Sequence, residues 1–266
     1  MPENLFELKN VSFGYEKSAQ VLNGVDLCVP KGKITVLIGP NGCGKTTAFA
    51  LLTKIYKPRQ GVILFEGKDV AEISRKEYAK RVAAVHQYNT VPEDMTVRRL
   101  VSMGRTAYHN QMFSRTSEED HIAVDRALSE TYTEEFADRQ VKELSGGQMQ
   151  RVWLALALAQ THETLLLDEI TTYLDVHYQY EILNLILKMN REYGTTVLMV
   201  LHDINQTIRY ADNVVMMKDG NILSAGAADE IVTEEMLEKT YGVRAHIASV
   251  DGRKFCSSRC RPPTGR

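Results

Sequence analysis

Residues 39–46 combine three glycines with a lysine and a threonine in the spacing G-x-x-x-x-G-K-[ST]. Glycines let successive backbone N–H groups turn inward around a polyphosphate, and a helix that begins near Lys45 would point its positive end at the same place. Lys45 would reach the outer phosphates, and the Thr46 hydroxyl suits the Mg²⁺ that accompanies a nucleoside triphosphate. The pattern predicts a phosphate loop of Gly39, Pro40, Asn41, Gly42, Cys43, Gly44, Lys45 and Thr46.

Such a loop requires a strand before it and a helix after it. Residues 34–38 are an apolar, β-branched run that predicts a buried strand, and residues 46–55 predict a helix. The alternative, an ordinary glycine turn before a helix, is disfavoured because the strand, the loop and the Lys-Thr pair occur together.

Three other apolar runs end in polar side chains. Residues 81–86 precede Gln87, residues 164–167 precede Asp168 and Glu169, and residues 195–201 precede His202. In open α/β sheets ligands bind at the carboxyl ends of the strands, so we expect one crevice to collect these side chains and the phosphate loop. Taken singly, the acidic pair also fits a helix cap and the histidine also fits a satisfied core residue.

The remaining segments differ in character. Residues 5–29 carry the alternation and turn residues of an antiparallel sheet, whereas residues 90–141 show a polar, charge-rich helical pattern whose arginines, Arg105 among them, we expect on a solvated face. Residues 152–159 predict a buried, alanine-rich helix. Ser145, Gly146 and Gly147 precede it as a cap and a second anion site. After residue 242 the sequence predicts little.

Composition limits the class of protein. The chain has 266 residues, with 32 basic and 34 acidic side chains and a net charge of −2, which argues against a nucleic-acid partner. We find no membrane-spanning run and no signal peptide, and therefore expect a cytosolic chain. Of its four cysteines, Cys256 and Cys260 could form a metal site with His246, although free thiols are the favoured interpretation.

Together these motifs resemble the ATP-binding subunits of ATP-binding cassette (ABC) transporters, from residue 5 to about residue 247. Residues 144–148 (LSGGQ) match the cassette signature, and Leu174-Asp175 matches the D-loop. The resemblance implies a P-loop NTPase fold of the RecA-like α/β type, with a parallel sheet core, an N-terminal antiparallel β subdomain and an inserted helical subdomain. It implies one domain with a core of residues 1–89 and 152–242, a helical subdomain of residues 90–151 and a tail of residues 243–266.

The resemblance also implies a role for each site residue. Tyr15 would stack on adenine, and Glu169 would polarise the attacking water, with Gln87 and His202 holding the reacting groups in line. Mg²⁺ would be held by Thr46, Gln87 and Asp168. A head-to-tail homodimer with two ATP molecules is implied, in which the signature of one chain meets the phosphates held by Lys45 of the other. The remaining implied ATP contacts are Thr47, Ser145, Gly146, Gly147, Gln148 and Asp175.

The subtype looks like the importer ATPases for iron–siderophore complexes, on residues 144–155, 171–176 and 201–206. Met149 and Ile170 depart from that pattern. The resemblance implies a peripheral subunit at the cytoplasmic face of the membrane, a separate permease and an extracellular substrate-binding protein. Importers of vitamin B12, haem or another metal chelate remain open, as do a soluble cassette ATPase acting on nucleic acid and a nucleotide-gated regulatory module.

Overall fold

The computed structural model describes residues 3–15, 20–92, 94–109, 116–250 and 253–258. Its strands are β1 (Asn4–Phe13), β2 (Leu22–Pro30), β3 (Ile34–Ile38), β4 (Gln60–Phe65), β5 (Lys68–Asp69), β6 (Val82–Val85), β7 (Thr164–Asp168), β8 (Thr196–Val200), β9 (Asn213–Lys218), β10 (Asn221–Ala227), β11 (Ala245–Val250) and β12 (Arg253–Ser258).

The helices are distributed along the chain from residue 45 onward. The α-helices are α1 (Lys45–Leu52), α2 (Arg75–Ala79), α3 (Val97–Ser102), α4 (Glu118–Glu130), α5 (Gly146–Gln160), α6 (Val176–Tyr193), α7 (Ile204–Tyr210), α8 (Ala228–Ile231) and α9 (Glu234–Tyr241). Short 3₁₀ helices span Val70–Glu72, Met103–Tyr108, Glu134–Phe136 and Val141–Glu143. Across the described ranges, none of the helices has both the length and the apolar content needed to cross a lipid bilayer.

The chain divides into two compact units. The first contains Met1–Gly67 and Val200–Arg266, and the second contains Lys68–Met199. Residues 90–151, predicted as a helical subdomain, lie within the second unit, and their separation from the core stays a prediction.

In the first unit β1 pairs antiparallel with β2 on one side and with β4 on the other. The predicted antiparallel sheet is confirmed, and Asn10 departs from its regular geometry. It has φ +50° and lies within β1 at a register shift, so it forms a bulge in a long strand. A second group has the order β10-β9-β3, with β3 parallel to β9 and β9 antiparallel to β10. All five residues of β3 are buried, as the apolar run predicts.

In the second unit the strand order is β8-β7-β6, and β6 runs parallel to β7. Every residue of β7 and β8 is buried. The helix predicted at residues 152–159 is confirmed, and it begins six residues earlier, at Gly146, because Ser145 caps it. Its alanine-rich face is buried, and helices α3 and α4 pack against it.

A hairpin occupies residues for which the sequence predicts no element. Strands β11 and β12 pair antiparallel, from Ala245 opposite Ser258 to Val250 opposite Arg253. The hairpin belongs to the first unit. Short alternating strands in a polar, Pro-containing terminal sequence give a weak pattern, which explains why it was missed.

Arg105 corrects another expectation, since it does not lie on a solvated face. Its side chain is 12% exposed, and its Nε lies 2.9 Å from Oδ1 of Asp120, which is 4% exposed. Nη1 of Arg105 also donates to the carbonyl of Ala159 near the end of α5, over 2.9 Å. The ion pair therefore ties the 3₁₀ helix Met103–Tyr108 to both α4 and α5.

Asp120 should make stability depend on acid pH. Burial raises its pKa, but hydrogen bonds from the Ser117 N–H and from Arg105 outweigh that effect and lower the pKa from 3.8 to about 2. A carboxylate whose folded pKa is depressed stabilises the fold above its ordinary pKa, and that contribution is lost as the pH falls toward the folded value.

We expect Asp120→Asn to lower the free energy of unfolding at pH 7 by about 2 kcal/mol, and this deficit to shrink between about pH 4 and pH 2. Urea denaturation across that range measures it. The matched control is Asp125→Asn, which removes an exposed ion pair with Arg98 and should cost less than about 1 kcal/mol. An equal loss of unfolding free energy in both variants, or a deficit that does not change with pH, would contradict the depressed pKa of Asp120.

Candidate functional site

The phosphate loop follows β3 directly and leads into α1. Gly39, Gly42 and Gly44 have φ of +153°, +79° and +106°, values that disfavour any side chain. Gly39 also lacks room, because a Cβ there would lie 2.2 Å from the carbonyl oxygen of Met217 in β9. The first turn of α1 contains no acidic residue. The loop therefore has the backbone and the charge that an anion-binding nest requires.

Lys45 is held by the loop that it follows. Its side chain is 5% exposed, and Nζ donates to the carbonyl of Gly39 over 2.8 Å and to that of Pro40 over 3.0 Å. Thr46 in the same turn is exposed. The ammonium and the hydroxyl predicted to serve phosphate and Mg²⁺ therefore both belong to the start of α1.

Cys43 and Tyr241 pack around the loop. Burial raises the pKa of the Cys43 thiol, against the opposing effect of the Lys45 charge. Burial also raises the pKa of Tyr241, the last residue of α9, to about 12, and its hydroxyl lies beside the Gly39 main chain. Neither group titrates near neutral pH, so the positive charge of Lys45 faces no thiolate or phenolate there.

Tyr15 lies next to the first turn of α1. Its hydroxyl is 3.0 Å from Oγ1 of Thr47, and its ring is 39% exposed. The rings of Phe13 and Tyr56 meet it edge to face at centroid distances of 5.2 and 5.4 Å. The exposed ring is thereby fixed beside the phosphate loop, in a position where a nucleotide base could stack.

His202 lies at the start of α7 in the same unit. The preceding residue, Leu201, donates its N–H to the carbonyl of Leu37 in β3 over 3.3 Å. The following residue, Asp203, caps α7 by accepting the N–H of Gln206 over 2.8 Å. His202 is exposed. His202 therefore lies two residues after β8, between Leu201, which is bonded to the strand that precedes the phosphate loop, and the capped start of α7.

In the second unit Gln87 and Glu169 meet. Nε2 of Gln87 donates to Oε2 of Glu169 over 2.6 Å, and the hydroxyl of Thr172 donates to the same oxygen over 3.3 Å. Glu169 has φ +53°, a left-handed conformation that is unusual for a residue with a side chain. The turn after β7 therefore redirects the chain, and two donors hold the carboxylate that emerges from it.

The two neighbours of Glu169 in sequence are buried. Asp168 ends β7 and is 2% exposed, while Ile170 is 1% exposed. Ile170, which stands where most cassettes have proline, is a buried core residue. Glu169, between these two buried residues, is partly exposed to solvent.

The signature residues begin α5 with a capping box. Oγ of Ser145 accepts the N–H of Gln148 over 3.3 Å, and Oε1 of Gln148 accepts the N–H of Ser145 over 3.0 Å. Ser145 and Gly146 are exposed, whereas Gly147 is buried against Tyr178, whose ring atoms lie 2.6 Å from a Cβ placed at Gly147. Asp175 caps α6 by accepting the Tyr178 N–H over 3.1 Å. The signature therefore rests directly on α6.

The structure groups the predicted residues by unit. The first unit contains the phosphate loop, Thr47, Tyr15 and His202. The second unit contains Gln87, Asp168, Glu169, Ser145 to Gln148 and Asp175. The sequence interpretation missed Thr172 and Tyr56. Thr172 lies within a run already matched to the family, but nothing in its residue type indicates the bond to Glu169. Tyr56 follows α1 without any motif.

The alternative metal site near the C terminus receives no support. Within the described ranges, no group of three or more His, Cys, Asp or Glu side chains is placed to hold a metal ion. Nδ1 of His246 instead lies 2.7 Å from Oε1 of Glu234, and Cys260 lies outside the described residues. Cys28, Cys43 and Cys256 are free thiols, as expected.

Gly39 offers a test of the phosphate loop. We expect Gly39→Ala to weaken ATP binding more than tenfold, because the methyl group would push the loop off the Met217 carbonyl and misplace its N–H groups. Calorimetric titration with ATP measures the affinity. The control is Gly42→Ala, which shares a positive φ but meets no atom within 4 Å, and should cost less. Equal losses of ATP affinity in the two variants would refute the role of the close approach between Gly39 and the Met217 carbonyl.

Residues 22–172 match the family model described as ABC transporter. The chain is 43% identical over 239 residues to the Probable siderophore transport system ATP-binding protein YusV of Bacillus subtilis, covering 90% of this chain and 86% of that one. It is 40% identical over 249 residues to the ferric enterobactin transport ATP-binding protein FepC of Escherichia coli, covering 93% and 91%.

A solved structure agrees with these relatives. It is the dimeric, post-hydrolysis state of an ATP-binding cassette bound to ADP and phosphate. Its sequence is 27% identical, its TM-score is 0.72, and the match covers 84% of this chain and 98% of that one. The fold is therefore the predicted α/β fold of cassette ATPases, and the chain belongs to the ABC transporter family.

Proposed function

We propose that this chain is the ATP-hydrolysing subunit that energises import of an iron–siderophore complex through a separate membrane permease. The hydrogen bond between Gln87 and Glu169 is the observation that carries the catalytic part, because it joins a carboxylate that could activate water to a donor that orients it. The substrate class is supported by the two transport relatives, which match about nine-tenths of the chain.

In this proposal Glu169 polarises the water that attacks the γ-phosphate. Gln87 and Thr172 both donate to Oε2 of Glu169, so the carboxylate is held in one orientation for this role. His202, Lys45 and the loop N–H groups would hold the phosphates in line. Since phosphoryl transfer demands little covalent chemistry from the protein, positioning and electrostatic stabilisation would provide most of the rate.

The proposed Mg²⁺ ligands are Thr46, Gln87 and Asp168. All three offer oxygen donors, which are the ligands that Mg²⁺ prefers, and the exposed Thr46 hydroxyl begins the helix that follows the phosphate loop. When bound, Mg²⁺ would offset negative charge on the phosphates. The chemistry of this donor set fits the ion.

Tyr15 would stack on the adenine, and the other proposed ATP contacts are Thr47, Ser145, Gly146, Gly147, Gln148 and Asp175. The half-exposed ring of Tyr15, held by Thr47, supports the stacking role. Ser145 and Gly146 are exposed at the start of a 15-residue helix with no acidic side chain in its first turn, which suits an anion. A dimeric solved relative supports a homodimer, and a head-to-tail arrangement of the two chains would bring ATP to this helix.

The remaining parts of the proposal concern the assembly. The chain would act at the cytoplasmic face of the membrane as a peripheral subunit, and the extracellular binding protein would contact only the permease. Selectivity for one siderophore would reside in those partners. The predicted helical subdomain at residues 90–151, between the two parts of the core, would then supply the signature.

Glu169→Gln tests the transport function. In cells lacking this protein, we expect wild type to restore uptake of radiolabelled ferric siderophore and Glu169→Gln to fail, because the amide cannot accept a water proton. The purified variant should retain ATP affinity and lose more than a hundredfold of turnover.

Uptake of labelled cobalamin in the same cells is the control for substrate class. Loss of cobalamin uptake in place of siderophore uptake would redirect the proposal to another metal chelate. Phosphate release by Glu169→Gln at the wild-type rate would remove Glu169 as the base.

Ser145→Arg tests the homodimer. The larger, cationic side chain at the exposed start of α5 should abolish hydrolysis, while ATP binding to the monomer stays within about twofold of wild type, because Lys45 and its loop remain intact. Turnover assays measure hydrolysis, and titration with ATP measures binding to the monomer. Ser74→Arg is the control, since Ser74 is also an exposed serine cap in the second unit, of α2. Loss of monomer binding in Ser145→Arg, or loss of turnover in Ser74→Arg, would count against action across a dimer.

A further inference from the structure

The C-terminal hairpin depends on the rest of the first unit for its order. Strands β11 and β12 form a two-stranded sheet of their own. An isolated two-stranded hairpin is only marginally stable in water, so contacts with neighbouring elements must hold it. Lys254 in β12 donates to the carbonyl of Asp229 in α8 over 2.9 Å, and the other side-chain contacts lie at the first residues of α7 and α9.

Asn205, in the first turn of α7, pairs with the main chain of β12. Oδ1 of Asn205 accepts the N–H of Cys256 over 2.7 Å, and Nδ2 donates to the carbonyl of Cys256 over 3.1 Å. The side-chain amide thus reproduces the two bonds that a neighbouring strand would make. A reciprocal pair of this kind fixes both distance and orientation.

Glu234, the first residue of α9, makes the matching contact with β11. Its Oε1 accepts the N–H of Ile247 over 2.8 Å and lies 2.7 Å from Nδ1 of His246. Burial raises the pKa of the Cys256 thiol, and the carboxylates of Asp203 and Glu234 raise it further. The bonds of Asn205 to Cys256 and of Glu234 to Ile247 place the hairpin across the starts of both helices.

This placement matters because His202 lies three residues before Asn205. On one side of His202 the chain is anchored by the bond from Leu201 to Leu37 in β3. On the other side the first turn of α7 buries Gln206 and Thr207, whereas Asn205 is exposed and bonds to the hairpin. The segment between the anchors is short, so a shift of the α7 start would move the histidine.

We propose that the hairpin of β11 and β12 is a positioning element for His202 and that Asn205 is the positioning residue through which it acts. The inference rests on ATP hydrolysis as the proposed function. Asn205 touches neither nucleotide nor the reacting atoms in this proposal. It holds the helix start from which the histidine is presented.

The test is steady-state ATP hydrolysis by the purified full chain carrying Asn205→Ala. We expect kcat to fall about tenfold, while KM for ATP and the thermal midpoint stay near the wild-type values, because a small displacement of a group acting on the transition state lowers turnover without weakening substrate binding. Arg209→Ala is the matched control, one turn further along α7 and likewise exposed, and it should keep kcat within about twofold.

A double-mutant cycle assigns the effect to the hairpin. Removal of residues 243–266 should lower kcat as much as Asn205→Ala does, and the two changes combined should lower it no further. A fall equal to the product of the two single effects would overturn the proposal, and so would a kcat for Asn205→Ala within twofold of wild type. Should the shortened chain not fold, the comparison of Asn205→Ala with Arg209→Ala decides. A wild-type chain without ATP hydrolysis would overturn the proposed function itself.

Discussion

The close approach of the phosphate loop to β9 is the constraint on which the first unit depends. At Gly39 the main chain passes so near the Met217 carbonyl that no Cβ fits, and the Gly220 N–H in the turn after β9 donates to the Cys43 carbonyl over 3.1 Å. The loop is thus held by main chain on the side away from its N–H groups. Because these contacts involve little side-chain freedom, the nest is ordered before any ligand arrives, which reduces the entropic cost of binding.

Helix α5 of the second unit is fixed at both ends. At its start the capping box satisfies N–H groups that the helix cannot bond internally, and Gly147 packs against the ring of Tyr178. Near its end Arg105 donates to the Ala159 carbonyl while paired with buried Asp120. A cation at a helix C terminus is favourable, and here it also joins α5 to α4. The exposed signature is therefore carried by a helix that cannot easily turn or slide.

Much of the fold could be predicted because it depends on residues that are close together in sequence. The strand at residues 34–38, the phosphate loop and the helix after it follow from an apolar run and from glycines whose conformations only glycine adopts readily. The capping role of Ser145 follows from the spacing to Gln148 in the same way. These features are set by residues close together in sequence.

The contacts that were not predicted join residues far apart in sequence. Charge alone favours an exposed Arg105, and its burial is known only once Asp120 is placed beside it. Asn205 and Cys256 are separated by 51 positions, and neither residue type suggests the pairing. Gln87 and Glu169 were expected in one crevice on strand topology, but the bond between them required coordinates.

The left-handed turn at Glu169 places function and stability in opposition at a single position. A residue with a side chain loses roughly 1 kcal/mol in that conformation relative to glycine. A glycine there would relax the backbone and, on the role proposed for the carboxylate, would leave the chain inactive. Searches for more heat-resistant forms of this protein by stability alone would therefore tend to select against Glu169, whereas selection for turnover would retain it. The backbone angle at residue 169 thus marks a position where thermostability screens and activity screens should enrich different amino acids.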